Sequence, residues 1–135
     1  MSERLRRIRA SELSDGPASP GMQRRQAVST GRMWSGVVHT EPGVFSAWHH
    51  HGAHESVIYV VTGGLRMESG IDGNEVFDAL PGEFVYVPPH SVHREGNMTA
   101  MVATIVVTRY GAGESVFNVD GPTAEASSPT ESAKS

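Results

Sequence analysis

The sequence predicts an all-β protein with the architecture of a sandwich or barrel. Its 135 residues suit a single domain. Short runs rich in β-branched side chains alternate with glycine and proline turn signals, and no segment has a convincing helical period. Hydrophobic residues make up 38% of the chain, enough for a core without disulfides. We expect about nine to eleven short strands from this pattern.

The predicted strands occupy the middle of the chain. They are residues 23–29, 32–41, 44–51, 56–62, 65–69, 75–79, 83–87, 92–95, 99–109 and 114–119. Turns are expected at the Pro-Gly pairs 42–43 and 81–82 and at the Asp-Gly-Asn triplet 72–74. Three regions follow: an N-terminal arm at residues 1–22, where residues 6–10 could add an edge strand, a barrel domain at residues 23–119, and a tail at residues 120–135. The tail has almost no large apolar side chain to offset its ordering entropy, so we expect it to be disordered.

Six of the seven histidines fall into two clusters. The first cluster holds His49, His50, His51 and His54, and the second holds His90 and His93, whereas His39 lies outside both. Because the chain has no cysteine, histidine and carboxylate are its only strong ligands for a transition metal. The clustering predicts a metal site built from two distant segments.

Strand geometry selects particular ligands from these clusters. His49 and His51 are two residues apart and point to the same side of a strand, so their imidazoles can share one ion. Glu55 follows a Gly-Ala break and can turn a carboxylate toward them, and His93 arrives from a separate strand. Three histidines and one carboxylate leave one or two coordination positions open.

The same residues resemble the two conserved motifs of the cupins. Gly43-x5-His49-x-His51-x3-Glu55 resembles the first motif, and Gly82-x5-Pro88-x-His90-x2-His93-x3-Asn97 resembles the second, with His90 where glycine is usual. The resemblance implies a double-stranded β-helix, the RmlC-like jelly-roll barrel, for residues 23–119. It also implies one divalent ion per chain, Fe(II), Mn(II), Zn(II) or Ni(II), held by His49, His51, Glu55 and His93.

The carboxylate ligand has alternatives. Seven residues separate Glu55 from Gly63, where the family motif has six. Either a β-bulge keeps Glu55 at the position of the motif's metal-binding glutamate, or Ser56 occupies that position. If Ser56 occupies it, the metal is held by three histidines alone, or His54 supplies the fourth ligand.

Several further side chains are candidates for a substrate pocket or for catalysis. The pocket candidates are Phe45, Trp34, Tyr59, Met67, Phe84, Tyr86 and Met101, although plain core is the simpler expectation for each one. Glu95 lies two residues after His93, so the two share a strand face, and Glu95 is a candidate general base or histidine partner. Tyr59 is a second catalytic candidate. Arg66, Arg94 and Arg109 could pair with an anionic substrate, but solvated surface is the simpler expectation for them.

These features favour a metal-binding cupin acting on a small organic molecule, first as a non-haem metal-dependent oxygenase or dioxygenase. The alternatives are a non-redox metal-dependent isomerase or decarboxylase, and a non-catalytic small-molecule binding protein or sensor. The chain lacks G-x-S-x-G, P-loop and Rossmann glycine patterns. A net charge of -4 gives no reason to expect a nucleic acid partner, and no apolar run is long enough to span a membrane. We expect a cytoplasmic protein, and the resemblance implies a homodimer in which residues 4–10 exchange between protomers.

Overall fold

The computed structural model describes residues 4–123, which form eleven strands in two antiparallel sheets. The strands are β1 (Ser14–Asp15), β2 (Met22–Ser29), β3 (Met33–Thr40), β4 (His49–His50), β5 (Glu55–Thr62), β6 (Leu65–Ser69), β7 (Glu75–Ala79), β8 (Phe84–Val87), β9 (His93–Gly96), β10 (Ala103–Tyr110) and β11 (Phe117–Asn118). A single 3-10 turn, Ala10–Glu12, precedes β1. Within residues 4–123, no helix has the length and apolar character needed to cross a membrane.

The larger sheet has the strand order β1-β2-β3-β10-β5-β8, and the smaller one has the order β11-β4-β9-β6-β7. Strand β10 lies at the centre of the larger sheet, where it pairs with β3 on one side and β5 on the other. Its odd-numbered residues Ala103, Ile105 and Val107 are buried, which is the alternation expected of a strand with one face on the core.

The two sheets pack around one apolar core. The core draws residues from β3, β5, β8 and β10 of the larger sheet and from β6 and β7 of the smaller one: Val38, Ile58, Val60, Leu65, Met67, Ala79, Val85, Val87, Ile105 and Val107. Trp34 packs against its edge. Two antiparallel sheets closed around a shared core are the architecture of a jelly roll, so the predicted all-β jelly-roll barrel is confirmed.

Several predicted strands are shorter in the structure, among them the last, which spans only Phe117–Asn118 of residues 114–119. Only His49–His50 of residues 44–51 is a regular strand, and Phe45 forms an isolated bridge with Gly96. Gly96 is required there because a Cβ at this position would overlap the Phe45 ring. Strand β10 starts at Ala103 rather than at residue 99, because the Asn97 side chain holds the preceding residues in a turn.

The chain termini also differ from expectation. Residues 6–10 form no strand within the described part of the chain, and the edge strand is β1. Residues 120–123 were assigned to the tail, but the last of them, Thr123, bridges to Ile71 and accepts a 2.7 Å hydrogen bond from the Asp72 amide. Residues 124–135, the rest of the predicted tail, lie outside the described residues.

Candidate metal centre and adjoining cavity

Three histidines converge at one end of the barrel. His49 on β4 and His93 on β9 are cross-strand partners, and His51 follows β4 by one residue. All three side chains are buried, with relative exposures of 8% for His49, 7% for His51 and 2% for His93. One nitrogen from each ring lies within 4.8 Å of the other two, close enough for all three to reach a single ion.

Backbone carbonyls fix the orientation of each ring. Nδ1 of His49 lies 2.7 Å from the Ala47 carbonyl oxygen, Nδ1 of His51 lies 2.6 Å from that of Ser115, and Nδ1 of His93 lies 2.9 Å from that of Ser91. A carbonyl oxygen only accepts, so each Nδ1 donates, and in a neutral ring Nε2 then carries the free lone pair. This second contact is the one that orients metal-binding histidines in proteins generally.

Burial sets the charge state of the first two histidines. Desolvation lowers the pKa of His49 below its ordinary value. Desolvation, assisted by the positive charge of Arg109, lowers the pKa of His51 to about 3. Both rings are therefore neutral at physiological pH, which is the protonation state that a metal ligand requires.

His93 is held differently because Glu95 lies beside it. Oε1 of Glu95 is 3.2 Å from Nε2 of His93. Burial lowers the pKa of His93, but the adjacent negative carboxylate of Glu95 outweighs burial, so the pKa of His93 is raised. Burial likewise opposes ionisation of Glu95, but His93 and the other two histidines bring the Glu95 pKa to about 2. The cluster thus contains a buried, ionised carboxylate.

The three histidines fit a divalent transition metal. Nε2 of His93 is fully buried, and its 3.2 Å contact with Oε1 of Glu95 does not have hydrogen-bond geometry, so this nitrogen is available to bind an ion. Imidazole nitrogens with an adjacent carboxylate suit Fe(II), Mn(II), Zn(II) and Ni(II). Three protein ligands leave coordination positions for a substrate or water.

The structure corrects the assignment of Glu55 as a ligand. Glu55 is exposed at the start of β5, and its carboxylate accepts a 2.7 Å hydrogen bond from the Tyr86 hydroxyl. The even-numbered residues of β5 face inward, so buried Ser56 occupies the position next to the cluster. The tight turn from His51 to His54 is closed by a 3.0 Å backbone hydrogen bond, and it determines which residues of β5 point inward.

The other histidines do not join the group of three. His54 is buried and lines the same cavity, where its Nδ1 donates to the His51 carbonyl oxygen at 3.1 Å. His50 accepts a 3.0 Å hydrogen bond from the Gly52 amide and stacks on Phe117. His90 is exposed on a turn with φ of 60°, a left-handed conformation that explains the usual preference for glycine there.

The histidine cluster opens into a cavity of about 830 Å³ between the sheets. Of the seven pocket candidates, the structure places Trp34 and Phe45 in its wall. Met67 is in the apolar core. The remaining four are exposed on the outside of the barrel and are wrong as pocket residues: Tyr59, Phe84, Tyr86 and Met101.

Strand alternation explains these corrections. Ile58 and Val60 face inward on β5, so Tyr59 faces outward, and it is therefore also excluded as a catalytic residue in the cavity. Strand β8 buries Val85 and Val87, which turns Phe84 and Tyr86 to the outside. Met101 belongs to the turn before β10.

Arg109 is the site residue that sequence reasoning undervalued. Its side chain is half-buried and lines the cavity wall. Strand alternation could have identified it, because the odd-numbered residues of β10 point inward and Arg109 is the next odd-numbered residue after Val107. Arg66 and Arg94, which looked equivalent in the sequence, pair instead with Asp78 and Glu68.

Comparisons with known proteins agree with this geometry. The family model for the cupin domain matches residues 36–109, more than half of the chain. An RmlC-like cupin from Shewanella frigidimarina superimposes with a TM-score of 0.65 and 21% identity, covering 82% of this chain and 93% of its own. The polyketide cyclase RemF from Streptomyces resistomycificus gives a TM-score of 0.71 and 17% identity, covering 98% of this chain and 94% of its own.

A third structural neighbour is a mutant of oxalate decarboxylase from Bacillus subtilis. It has a TM-score of 0.65 and 22% identity, covering 76% of this chain and 29% of that longer one. At these identities the neighbours establish the fold alone. No curated protein sequence matches the chain significantly. The family match, the two-sheet barrel and the histidines brought together from both motifs lead to one conclusion: the chain belongs to the cupin family.

Proposed function

We propose that this protein is a metal-dependent enzyme that converts a small organic molecule in the barrel cavity, with oxygenase or dioxygenase chemistry as the first reaction class. The observation that carries the proposal is the cluster of His49, His51 and His93 at the wall of an 830 Å³ cavity. Three imidazole ligands leave enough coordination positions for a substrate and dioxygen together. A bound redox-active ion would supply the activation of dioxygen.

The protein's own residues have separate tasks in this proposal. The carbonyl oxygens of Ala47, Ser115 and Ser91 hold the rings so that each Nε2 faces the ion position. Trp34 and Phe45 supply apolar wall that excludes water from the bound molecule.

Glu95 supports a second candidate, a non-redox isomerase or decarboxylase. A buried carboxylate ionised at neutral pH and 3.2 Å from His93 is positioned to accept a proton from a substrate bound at the ion. Structures of this same fold are named as an oxalate decarboxylase and a polyketide cyclase, so the fold is compatible with reactions other than oxygenation. In this case the ion would act as a Lewis acid.

The first test measures metal content in the full-length protein and in two histidine variants. Mass spectrometry after loading with Fe(II), Mn(II) and Zn(II) should give about one ion per chain in the wild type. His93→Ala should lose most of it, whereas His39→Ala should retain it, because His39 lies on β3 bonded to Thr104. Equal metal content in the three proteins would refute the three-histidine site.

The second test separates the reaction classes. The Fe(II) form in air and the Zn(II) form under nitrogen are each incubated with a panel of small hydroxy and aromatic carboxylic acids. Products are followed by NMR and oxygen uptake by electrode. Conversion that requires oxygen and iron supports the oxygenase, and anaerobic conversion with zinc supports the Lewis-acid enzyme. Binding without conversion in either form would favour a non-catalytic binding protein.

We also propose that the protein is a cytoplasmic homodimer. The lack of cysteine fits a reducing compartment, and pairing of the arm, residues 4–10, with a second protomer would cover an exposed sheet edge and the exposed Leu5 side chain.

A further inference from the structure

We propose that Arg109 and Ser56 form an anion subsite in the cavity, which binds the carboxylate of a substrate whose apolar or aromatic body lies against Trp34. This inference rests on the proposed function, because it takes the cavity as the substrate site. It adds a substrate class, a small organic carboxylate, that neither the fold nor the histidine cluster specifies.

The three residues are neighbours across the larger sheet. In the strand register, Arg109 of β10 is opposite Ser56 of β5 on one side and opposite Trp34 of β3 on the other. All three line the cavity that contains the histidine cluster. The inward row of β10 therefore runs from apolar Ala103, Ile105 and Val107 to a cation at the cavity.

Apart from the contact of the Arg109 guanidinium with the Trp34 ring, each of Arg109 and Ser56 has a buried polar atom without a hydrogen-bond partner among the described residues. Nε of Arg109 and Oγ of Ser56 are fully buried and make no hydrogen bond to any described residue. Within residues 4–123, no carboxylate lies within ion-pair distance of Arg109, whereas Arg25, Arg66 and Arg94 each have one. A buried donor without an acceptor costs free energy, and a bound anion would remove that cost. Two such donors on paired residues indicate a shared missing acceptor.

The charge balance of the cavity favours an anion. Burial lowers the pKa of Arg109, but a guanidinium stays protonated at neutral pH. The nearest opposite charge is Glu95, which is already engaged with His93. With a divalent ion on three neutral histidines, the charges of the ion, Arg109 and Glu95 sum to about +2, and Arg24 and Arg32, which also line the cavity, add further positive charge. A carboxylate ligand reduces this excess.

The geometry also selects the type of anion and its body. A guanidinium presents parallel N–H groups that match a carboxylate in a bidentate pair. The guanidinium carbon of Arg109 is 5.8 Å from the Trp34 ring centroid, and the indole is fixed by a 2.8 Å hydrogen bond from its Nε1 to Gln26. The guanidinium lies over the Trp34 ring, so the cation and a rigid apolar side chain adjoin each other in the cavity wall.

Ser56 explains why the subsite is open. An acidic side chain at this inward position would lie opposite Arg109 and neutralise it from within the protein. The serine removes that internal partner and leaves its hydroxyl as an additional donor. We infer that the substrate carboxylate occupies the space that such a side chain would fill.

The experiment compares 2-naphthoate with its neutral analogue 2-naphthamide by isothermal titration calorimetry on the Zn(II)-loaded full-length protein. The wild type should bind the carboxylate at least about tenfold more tightly than the amide. Arg109→Met should weaken naphthoate binding by about 10- to 100-fold and leave naphthamide binding and zinc content unchanged. Arg66→Met is the matched control, because Arg66 is paired with Asp78 outside the cavity, and it should bind both compounds as the wild type does.

Ser56→Glu gives an independent second variant. Its carboxylate would fill the anion position between Arg109 and the histidine cluster, whichever of the two it contacts, so the preference for naphthoate should fall to within about threefold while zinc content is retained. A wild type that binds the two compounds equally or binds neither, or an Arg109→Met protein that keeps the preference, would overturn the subsite. A protein that shows the preference but converts no carboxylic acid would disprove the proposed enzyme and leave the subsite standing.

Discussion

Replacing Asn97 with alanine should destabilise the barrel more than any other single polar substitution we consider. The side chain is fully buried, and its amide nitrogen donates to the carbonyl oxygens of Thr40 at 2.9 Å and Met101 at 2.7 Å. Its amide oxygen accepts from the Thr99 amide at 2.8 Å and from the Thr99 hydroxyl at 2.6 Å. The Asn97 backbone also bonds to Gly43 and Val44, so this residue ties both histidine-bearing segments to β3 and to the turn before β10.

The magnitude follows from the fate of each partner. A buried hydrogen bond contributes about 1 kcal/mol net, and an acceptor left without a donor costs more. Thr99 is half-buried, so its amide can bond to water. Its hydroxyl lies 3.0 Å from the Met101 carbonyl oxygen and can donate its one proton there once the Asn97 oxygen is removed. The Thr40 carbonyl loses a donor inside the barrel. Together these losses should reduce the free energy of unfolding by about 2–4 kcal/mol. For a domain of this size that lowers the melting temperature by about 8–16 °C.

Urea and thermal unfolding of the zinc-loaded proteins measure the effect. Thr99→Val removes only the hydroxyl and should cost about 1 kcal/mol. Asn74→Ala, at an exposed turn position, should stay within about 0.5 kcal/mol of the wild type. A loss of less than 1 kcal/mol for Asn97→Ala would show that the buried hydrogen bonds do not hold the two segments together.

Three further predictions concern the metal centre and the assembly. Because the pKa of His93 is raised whereas those of His49 and His51 are lowered, zinc binding at pH 6.5 should release between about a half and one proton, and the release should fade as the pH rises above the His93 pKa. Titration calorimetry in two buffers of different ionisation enthalpy measures this, and heat independent of the buffer would contradict it. Glu95→Gln should keep the zinc but reduce turnover by about 100-fold or more; loss of the metal would instead make Glu95 a ligand. Light scattering after gel filtration should give a dimer mass for the full chain and a monomer mass after deletion of residues 4–10, and a monomeric full chain at micromolar concentration would contradict the exchange of this arm.

The sequence was sufficient for the fold and for the core of the metal centre. Turn signals and β-branched runs located most strands because each side chain's local preference agrees with the global structure. His49 and His51 could be predicted to act together because residues two apart in an extended segment share a face, and His93 could be assigned from its place in the second cupin motif.

Errors arose where the chain leaves one strand and enters the next. The turn between His51 and His54 determines which residues of β5 point inward, and a change of one residue exchanges Glu55 for Ser56. Sequence spacing cannot fix that phase because it depends on the three-dimensional path of the turn. The same uncertainty placed Tyr59 in the pocket. Arg109 was undervalued for a different reason, since arginine at the end of a strand is usually solvated.

The shortness of β4 has a further consequence for how long the protein survives proteolysis. This two-residue strand joins β9 through the single pair His49 and His93 and carries β11 on its other side. An ion bound to these side chains would be a reversible cross-link between β4 and β9, which few backbone hydrogen bonds hold together. Binding to the native state alone adds about 4 kcal/mol at a free ion concentration 1,000 times the dissociation constant. Resistance to local opening and to proteolysis at this edge would then follow the supply of metal, so that starvation for the ion would mark the protein for turnover.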